Sequence, residues 1–576
     1  MTCRRDRRAR VALAALLLFG MPGCADQNAV LNQYDSARAA LDAGDLVAGE
    51  AALRAMLADG TAKQEIAALM GEAALACGDL AQAHVWLDPG EFSVATRVLG
   101  LRMQGRLALR KGNLTAAAKA FDQAYVIAPE NPELWVDIGR LRYRGGEQLQ
   151  AVEAADRAVG FGPLNAEALR FRGELARDAF GPNNAAPWFE AALATRPDNS
   201  DLRDELAATL GDAGSVNQAL DTLRSTLPNS ARSLYLRAVI AARGGNYLLA
   251  RSLLQRAGSA GRGSPAARML SAIIDLETGN VASAAQALDR LASEQPDNAL
   301  VRDLLAQALL KSGREGELVR RYSTFAAGPA GSPYLRTLVG RAYEAMGRRD
   351  LAARFLDLAA LRNPSLSALP SGANNKGVLA ARDAIRAAIA GRNTRLARQK
   401  ARDLAKRYPG SADALALLGD AEFASGNRRA ARRAYATSAQ VRQPWALTLR
   451  RVAAEPDRAR AISLLQTYVR GNPTEGEALA LLADAYAANG EWHRAADLLD
   501  AALVNGMARV PWVLGARSVA ARQLGDSAAA LEFALAAHDM QPMNEAAIAA
   551  LIAALPDDEA DARSELEAKL GALRLR

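Results

Sequence analysis

The chain has 576 residues, of which 50% are apolar, 5% are aromatic and 23% are charged. Ala and Leu dominate the apolar residues and favour helices, whereas the alternating Val, Ile and Tyr runs typical of strands are missing from the sequence, so we predict an all-α protein. The formal net charge is +8, of which residues 1–23 contribute +4. The remaining charge is too small to indicate a nucleic-acid-binding protein.

The N-terminus has the organisation of a secretory signal peptide. Five arginines within residues 1–10 precede an apolar run, Val11 to Gly20, which is too short to cross a bilayer because a spanning helix needs ~20 residues. Met21-Pro22-Gly23-Cys24 follows and resembles a bacterial lipobox, although Met21 stands where that pattern usually has Leu. The resemblance implies a signal peptide at 1–23, a lipidated Cys24 and a tether at 24–29. Ordinary cleavage nearby and an uncleaved N-terminus are the alternatives.

A 34-residue period runs through the rest of the chain. Three successive units contain Leu101, Gly105, Ala117, Phe121, Ala124 and Pro129, then Trp135, Gly139, Ala151, Ala155, Ala158 and Pro163, then Leu169, Gly173, Ala185, Phe189, Ala192 and Pro197. This spacing resembles the tetratricopeptide repeat, W-x-x-L-G-x-x-Y…A-x-x-x-F…A…P. The resemblance implies an all-α, right-handed superhelical solenoid of about fifteen helix-turn-helix repeats with a C-terminal capping helix. We expect Phe121 and Phe189 to pack against Gly105 and Gly173.

Glycines at the turn between the two helices of a repeat support the same phase. Position 15 of the repeat favours a left-handed backbone, and eleven of the fifteen repeats have Gly there. In three other repeats Gly181, Gly391 and Gly525 miss this position by one residue.

The repeats divide the chain into two predicted arrays. We place an N-terminal array at 30–364, a loop insertion at 365–377, a C-terminal array at 378–543 and capping helices at 544–576. The loop is eleven residues longer than the period and rich in Gly, Ser, Pro and Asn. A tolerated surface insertion and a hinge or docking loop both fit this composition.

The sequence shows no catalytic or metal-binding motif. Its three histidines, His84, His493 and His538, share neither a short spacing nor a helix face, and the repeats leave no room for a catalytic domain. We therefore predict a protein that is not an enzyme and has no cofactor, no catalytic residues and no metal site.

Arginines cluster at the repeat positions that, in the tetratricopeptide family, line the concave groove where peptides and partner proteins bind. The candidates are Arg102, Arg106, Arg110, Arg140, Tyr143, Arg144, Arg170 and Arg177. Glu133, Glu167, Glu174 and Asp178 occupy neighbouring groove positions. Two interpretations remain open: a site for an anionic ligand, or ion pairs among the groove's own residues.

A second basic cluster follows the loop. It consists of Arg392, Arg395, Arg398, Lys400, Arg402, Lys406, Arg407, Arg428, Arg429, Arg432 and Arg433. Most of these residues belong to second helices, on the convex side of the predicted solenoid. The cluster is either a solvated face or a surface that attracts acidic lipid headgroups, an anionic polysaccharide or an acidic partner.

Architecture and anchoring together suggest a function. The chain resembles the repeat lipoproteins that accompany exopolysaccharide synthesis and export or belong to exosortase-linked systems. This implies a scaffold in the bacterial periplasm that binds protein partners of an envelope assembly, held by its lipid at the outer membrane rather than the inner one. A pilus or secretion-channel assembly factor is the first alternative, and a direct binder of anionic polysaccharide is the second.

Overall fold

The computed structural model describes residues 27–224, 231–258, 263–328, 331–360 and 376–574. Within these ranges it contains thirty-two α-helices, one short 3-10 helix at Met507–Arg509 and no β-strand. No helix in the described part of the chain is both long enough and apolar enough to cross a bilayer. The predicted signal peptide, Cys24 and all but two residues of the predicted 365–377 loop lie outside the described residues.

Thirty of the helices form fifteen hairpins, followed by a final helical pair. The first helices of the hairpins are α1 (Gln27–Asp42), α3 (Lys63–Ala76), α5 (Arg97–Arg110), α7 (Pro132–Gly145), α9 (Ala166–Phe180), α11 (Ser200–Asp212), α13 (Ala231–Arg243), α15 (Pro265–Glu277), α17 (Ala299–Lys311), α19 (Pro333–Ala345), α21 (Lys376–Ala390), α23 (Ala412–Ala424), α25 (Trp445–Ala454), α27 (Gly476–Ala487) and α29 (Pro511–Gln523). The second helices are α2 (Leu46–Ala58), α4 (Leu80–Leu87), α6 (Leu114–Ile127), α8 (Gln148–Phe161), α10 (Pro182–Thr195), α12 (Val216–Arg224), α14 (Tyr247–Arg256), α16 (Val281–Glu294), α18 (Glu315–Ala327), α20 (Arg349–Ala360), α22 (Thr394–Arg407), α24 (Arg428–Ala439), α26 (Arg458–Gly471), α28 (Trp492–Val504) and α30 (Ser527–Met540). The final pair is α31 (Glu545–Ala554) and α32 (Ala560–Arg574).

The predicted all-α solenoid of about fifteen helical hairpins is confirmed. A first helix such as α7 packs against its own second helix, α8, and against the hairpin before it. One apolar stripe of each hairpin is therefore buried inside the hairpin and another against its neighbour, so that a single repeat could not bury its own core.

Small and large side chains alternate at the helix contacts. Phe121 and Phe189 are 1% and 0% exposed. A Cβ added to Gly105 would overlap the Phe121 ring, and one added to Gly173 would lie 3.1 Å from the Cζ atom of Phe189. A Cβ added to Gly139 would lie 2.5 Å from the Cε1 atom of Phe171. These glycines let adjacent helices approach closely enough to enclose the aromatic rings.

Two other residues of the repeat pattern, Ala117 and Trp135, also have structural roles. Ala117 is fully buried in the core between α5, α6 and α7. The Trp135 side chain is 5% exposed, and its indole Nε1 donates a hydrogen bond to the backbone oxygen of Pro129 at 2.7 Å. This bond ties the first helix of one hairpin to the turn that leaves the hairpin before it.

The turn glycines have the backbone conformation that their position requires. All eleven glycines at position 15 have positive φ angles, as do Gly181 and Gly525, which lie one residue later. In the hairpin of α21 and α22, however, Gly391 does not take this role. Arg392 has a φ of 55° instead, the one positive value for a non-glycine residue in the described chain. The left-handed residue thus stays at position 15 of the repeat, although a side chain in that conformation strains the backbone at Arg392.

The helices group into two compact units. The first unit comprises the described residues of 1–179, 185–205 and 368–442, and the second comprises those of 180–184, 206–367 and 443–576. Each unit therefore contains helices from both predicted arrays.

Hydrogen bonds between distant segments hold the first unit together. The side-chain amide of Asn199 donates to the backbone oxygen of Asp42 at 3.1 Å. At the start of α8, the backbone N–H of Leu149 donates to the oxygen of Gly410 at 3.1 Å, and Oε1 of Gln148 accepts from the N–H of Ala412 at 2.9 Å. The loop before α23 thus satisfies a free N–H at the N-terminus of α8.

The second unit contains contacts of the same kind. The Thr474 hydroxyl donates to the backbone oxygen of Asp212 at 2.9 Å, and the Asn183 amide donates to the oxygen of Arg470 at 2.9 Å. These bonds join turns that are more than 250 residues apart in the sequence, which is why the unit combines separate stretches of chain.

Candidate functional site: an arginine-lined groove

Four first helices of the first unit, α3, α5, α7 and α9, line an open cavity of about 710 Å³, which we call the groove. Its apolar lining includes Met103, Phe171 and Leu175. Six of the eight predicted groove residues line it: Arg106, Arg110, Arg140, Tyr143, Arg144 and Arg177. Sequence periodicity brings these side chains to one surface because the same repeat positions recur on successive first helices.

Arg102 is 3% exposed and does not form part of the groove lining. Its Nε atom donates to the Asp137 carboxylate at 2.8 Å, and its guanidinium also pairs with Glu133. Asp137 itself is fully buried. The pair is therefore a buried, charge-assisted contact between α5 and α7.

The ion pairs continue from helix to helix along the groove, and we call the series the arginine ladder. Arg106 contacts Asp137 at 2.5 Å and Glu167 at 2.8 Å, so it links α7 to α9. Arg140 also lies 3.5 Å from Glu167.

Farther along, Glu174 lies 3.8 Å from Arg140 and 3.2 Å from Arg170, while Arg177 contacts Glu205 of α11 at 2.7 Å. Of the two interpretations drawn from the sequence, these contacts match ion pairing within the groove for all the arginines of the ladder. They are Arg102, Arg106, Arg140, Arg170 and Arg177.

The ladder perturbs its own carboxyl groups. Burial alone would raise the pKa of Glu167, but the positive charges of Arg106, Arg140 and Arg102 outweigh it and hold that pKa well below its usual range. The same competition lowers the pKa of Glu133, where Arg102 supplies the strongest attraction. Both groups are therefore ionised at neutral pH, and the ladder keeps its charges paired.

The neighbouring pair of Arg38 and Glu72 behaves differently. The two side chains are 2.7 Å apart, yet burial raises the pKa of Glu72 more than Arg38, Arg106 and Arg102 lower it. The net charge at this end of the groove is thus more sensitive to acid than in the ladder itself.

Three predicted residues stand at the edge of the ladder. The Tyr143 hydroxyl donates to Asp178 at 3.1 Å, and burial together with the Asp178 charge raises the pKa of Tyr143. Arg144 donates to the backbone oxygen of Leu109, in the last turn of α5, at 2.6 Å. Neither Arg110 nor Arg144 lies within ion-pair distance of a carboxylate among the described residues. They are the groove arginines whose charge remains available to a ligand.

Several groups of the site escaped the sequence analysis. Asp137 is the central one, and its signal was a single charged residue between the apolar Val136 and Ile138. Arg38 and Glu72 were also missed, and they share a repeat position with Arg106, since the 34-residue series there reads Arg38, Glu72, Arg106, Arg140, Glu174. Opposite charges at neighbouring places of this series, Arg38 with Glu72 and Arg140 with Glu174, could have predicted pairing between adjacent helices.

The second predicted cluster lies on α22 and α24, with Arg392 in the turn before α22. Within it Arg398 and Arg402 both contact the Glu422 carboxylate, at 3.3 Å and 2.7 Å. Eight residues are exposed and make no ion pair with any described carboxylate, and we call them the basic face. They are Arg392, Arg395, Lys400, Lys406, Arg407, Arg428, Arg429 and Arg433.

Two other predictions concern lipid and metal. Cys24 lies outside the described residues, so its lipidation stays a prediction. The described ranges contain no group of three or more His, Cys, Asp or Glu side chains positioned to hold a metal ion.

Family models agree with the hairpin architecture. One model described as tetratricopeptide repeat matches residues 241–308, and a second with the same description matches residues 102–166, 206–265 and 456–509. The described residues of the matched segments belong to helical hairpins in both units. This protein is a tetratricopeptide repeat protein. No curated protein sequence matches the chain.

Several solved structures are similar to this tetratricopeptide repeat protein. The Cut9-Hcn1 hetero-tetramer of APC/C matches at 14% identity over 85% of this chain and 95% of that one, with a TM-score of 0.34. A tetratricopeptide repeat protein from Parabacteroides merdae matches at 18% identity over 49% and 96%, with a TM-score of 0.27. Naa15/Naa10 bound to HypK-THB matches at 14% identity over 84% and 81%, with a TM-score of 0.25. Likeness at this level carries no argument about function.

Proposed function

We propose that this protein is a non-enzymatic scaffold that holds an extended segment of a partner protein in the groove. Tetratricopeptide repeats generally form surfaces that bind proteins, and the groove is the surface of this chain best suited to that role. The observation that carries the proposal is a cavity of about 710 Å³ in which apolar side chains lie beside Arg110 and Arg144, neither of which forms an ion pair with a described carboxylate.

The arginine ladder prepares this surface for binding. Because its charges are already paired, a ligand does not have to neutralise them, and the helices that line the groove are held in place before the ligand arrives. Apolar contact with residues such as Phe171 and Leu175 would supply affinity. Arg110 and Arg144 would then favour a segment with an acidic side chain, since a guanidinium binds a carboxylate through two parallel hydrogen bonds.

The cellular setting is a further part of the proposal. The lipobox-like sequence ending at Cys24 supports a lipid-anchored protein of the bacterial periplasm, at the outer membrane rather than the inner one. Its likeness in architecture and anchoring to other repeat lipoproteins supports an assembly role in exopolysaccharide synthesis or export, or in an exosortase-linked system. Pilus or secretion-channel assembly is the alternative partner class.

Site-specific crosslinking tests the groove. Benzoylphenylalanine in place of Ala76, an exposed residue of the groove lining, should give a discrete adduct with a partner in intact cells after irradiation. The same group in place of Val126, which is 84% exposed on the second helix α6, is the matched control and should give none. Adding Arg110→Glu and Arg144→Glu should suppress the Ala76 adduct. Equal labelling from both positions would contradict the groove as the binding site.

Mass spectrometry of the same adduct decides between the partner classes, because it identifies an exopolysaccharide, exosortase-linked, pilus or secretion component directly. The anchor is tested separately by Cys24→Ala. This variant should lose incorporation of labelled fatty acid and leave the outer-membrane fraction. An unchanged distribution would refute lipid anchoring at Cys24 and leave the groove proposal intact.

A further inference from the structure

The basic face is a feature of two particular helices and does not follow from the composition of the chain. From their sequences α22 carries a net charge of +5 and α24 one of +4. The second helices of the other hairpins range from −2 in α30 to +3 in α26. A helix at the same place in the repeat can therefore be neutral or acidic, and the charge of α22 and α24 needs its own explanation.

The acidic residues nearby do not neutralise this face. Between residues 392 and 433 there are four carboxylates, of which Asp403 alone is exposed, while the other three are half-buried or buried. Glu422 is buried and already contacts Arg398 and Arg402, and Asp420 accepts a hydrogen bond from the Tyr435 hydroxyl at 2.8 Å. Eight exposed cations consequently face solvent beside one exposed carboxylate.

Glu422 also brings the two basic helices together. Its Oε1 accepts from Arg402 of α22 at 2.7 Å, and its Oε2 accepts at 3.1 Å from Asn427, the residue that caps the N-terminus of α24. The middle of α22 is thus close to the first turn of α24, where Arg428 and Arg429 lie. The positive potentials of the two helices therefore add.

The arrangement works against the stability of α24. Arg428 and Arg429 lie in the first turn, where the helix dipole favours acidic side chains and disfavours basic ones. Arg429 and Arg433 are four residues apart on the same helix face, a spacing at which like charges repel. Residues that destabilise the helix in which they lie are expected where the surface serves a function other than folding.

The chemistry of the face selects among acidic partners. A protein interface needs an apolar or aromatic centre, but from 392 to 433 the exposed large apolar side chains are Leu396 and Phe423, at 38% and 36%. A polysaccharide chain follows a single line of contacts, whereas these charges spread over two helices. Six of the eight cations are arginines, whose guanidinium groups match the geometry of phosphate. We propose that the basic face binds the surface of a bilayer that contains anionic phospholipid.

Vesicle sedimentation tests this inference with the full chain carrying Cys24→Ser, so that no lipid modification contributes to binding. The chain should bind vesicles of 70% phosphatidylcholine and 30% phosphatidylglycerol at 0.1 M salt and release them at 0.5 M, since screening shortens the range of exposed charges. The variant K400Q/R428Q/R429Q/R433Q should bind at least tenfold more weakly, because each basic residue near an anionic surface contributes to attraction.

A control variant separates the basic face from net charge. R256Q/R290Q/R320Q/R522Q removes four exposed arginines of the second unit and lowers the net charge equally, and its binding should stay within threefold of the parent. The proposal would be overturned if both variants lost vesicle binding equally, or if K400Q/R428Q/R429Q/R433Q bound as tightly as the parent. Equal binding of the parent to vesicles of pure phosphatidylcholine would also overturn it. So would retention on immobilised alginate without vesicle binding, which would assign the face to a polysaccharide.

Discussion

Replacement of Asp137 by Asn tests whether the arginine ladder holds the first unit together. The Asp137 side chain is 1% exposed and accepts hydrogen bonds from the Nε atoms of Arg102 at 2.8 Å and Arg106 at 2.5 Å. The variant keeps the size of the side chain but removes its charge. Loss of one partner from a buried ion pair costs ~3–5 kcal/mol, because it leaves a charge uncompensated in a medium that solvates it poorly.

The surrounding contacts place Asp137→Asn at the lower end of that range. Arg102 keeps its contact with Glu133, and Arg106 keeps Glu167 at 2.8 Å, so neither guanidinium is left without a carboxylate. We therefore expect the free energy of unfolding of the first unit to fall by about 3 kcal/mol.

The measurement is urea unfolding of the full chain, monitored through the fluorescence of tryptophans such as Trp135, which lies two residues before Asp137. Asp156→Asn is the matched control, because Asp156 is 58% exposed and pairs with Arg172 at 2.8 Å at the surface. It should cost less than about 1 kcal/mol, and its effect should vanish in 1 M salt, whereas the effect of Asp137→Asn should persist. If both variants lose the same stability, the ladder is not a structural element of the unit.

Three further predictions concern other parts of the fold. Phe121→Ala should lower the free energy of unfolding by ~3–5 kcal/mol, because the ring is 1% exposed and fills the space over Gly105. Tyr125→Ala is the control and should cost much less, because Tyr125 is 43% exposed on the same helix. Equal urea midpoints for the two variants would contradict this packing. Arg392→Gly should stabilise the first unit by about 0.5–1 kcal/mol in the same assay, since glycine adopts a φ of 55° without the strain of a side chain, and a destabilised variant would refute that account. Burial raises the pKa of Asp413 to about 6, against the weaker opposite effect of a nearby arginine, so the folded state should lose stability as the pH rises from about 4 to 6. Asp413→Asn should accordingly be more stable than the parent by about 1–2 kcal/mol at pH 8 and equal to it near pH 4. Thermal melts at the two pH values measure both differences, and a variant that is stabilised at pH 4 but not at pH 8 would contradict this account.

The two surfaces of this protein illustrate different uses of arginine. In the ladder, guanidinium groups form ion pairs with carboxylates of adjacent helices and hold the groove in shape. On the basic face they remain exposed, and Arg428 and Arg429 lie in the first turn of α24, where basic side chains weaken the helix. The sequence shows both clusters as similar runs of Arg, because composition does not record which carboxylate a long side chain reaches.

Much of the fold follows from the sequence alone. The 34-residue period, the turn glycines and the alternation of Phe121 with Gly105 fix where each helix begins and which side of it is buried, because all of these depend on residues within one hairpin or its neighbour. The groove positions follow from the same period, which explains why six of the eight predicted residues line the cavity.

Tertiary structure decided the features that depend on distance through space. Arg102 turned out to be buried against Asp137, because a side chain's exposure depends on how closely two helices approach. The hydrogen bonds that Leu149 donates to Gly410 and Thr474 donates to Asp212 join segments hundreds of residues apart, and a period that describes only adjacent repeats contains no information about them. The sequence therefore determined the hairpins and their order, while long-range packing determined the two units and the charges left free for a ligand.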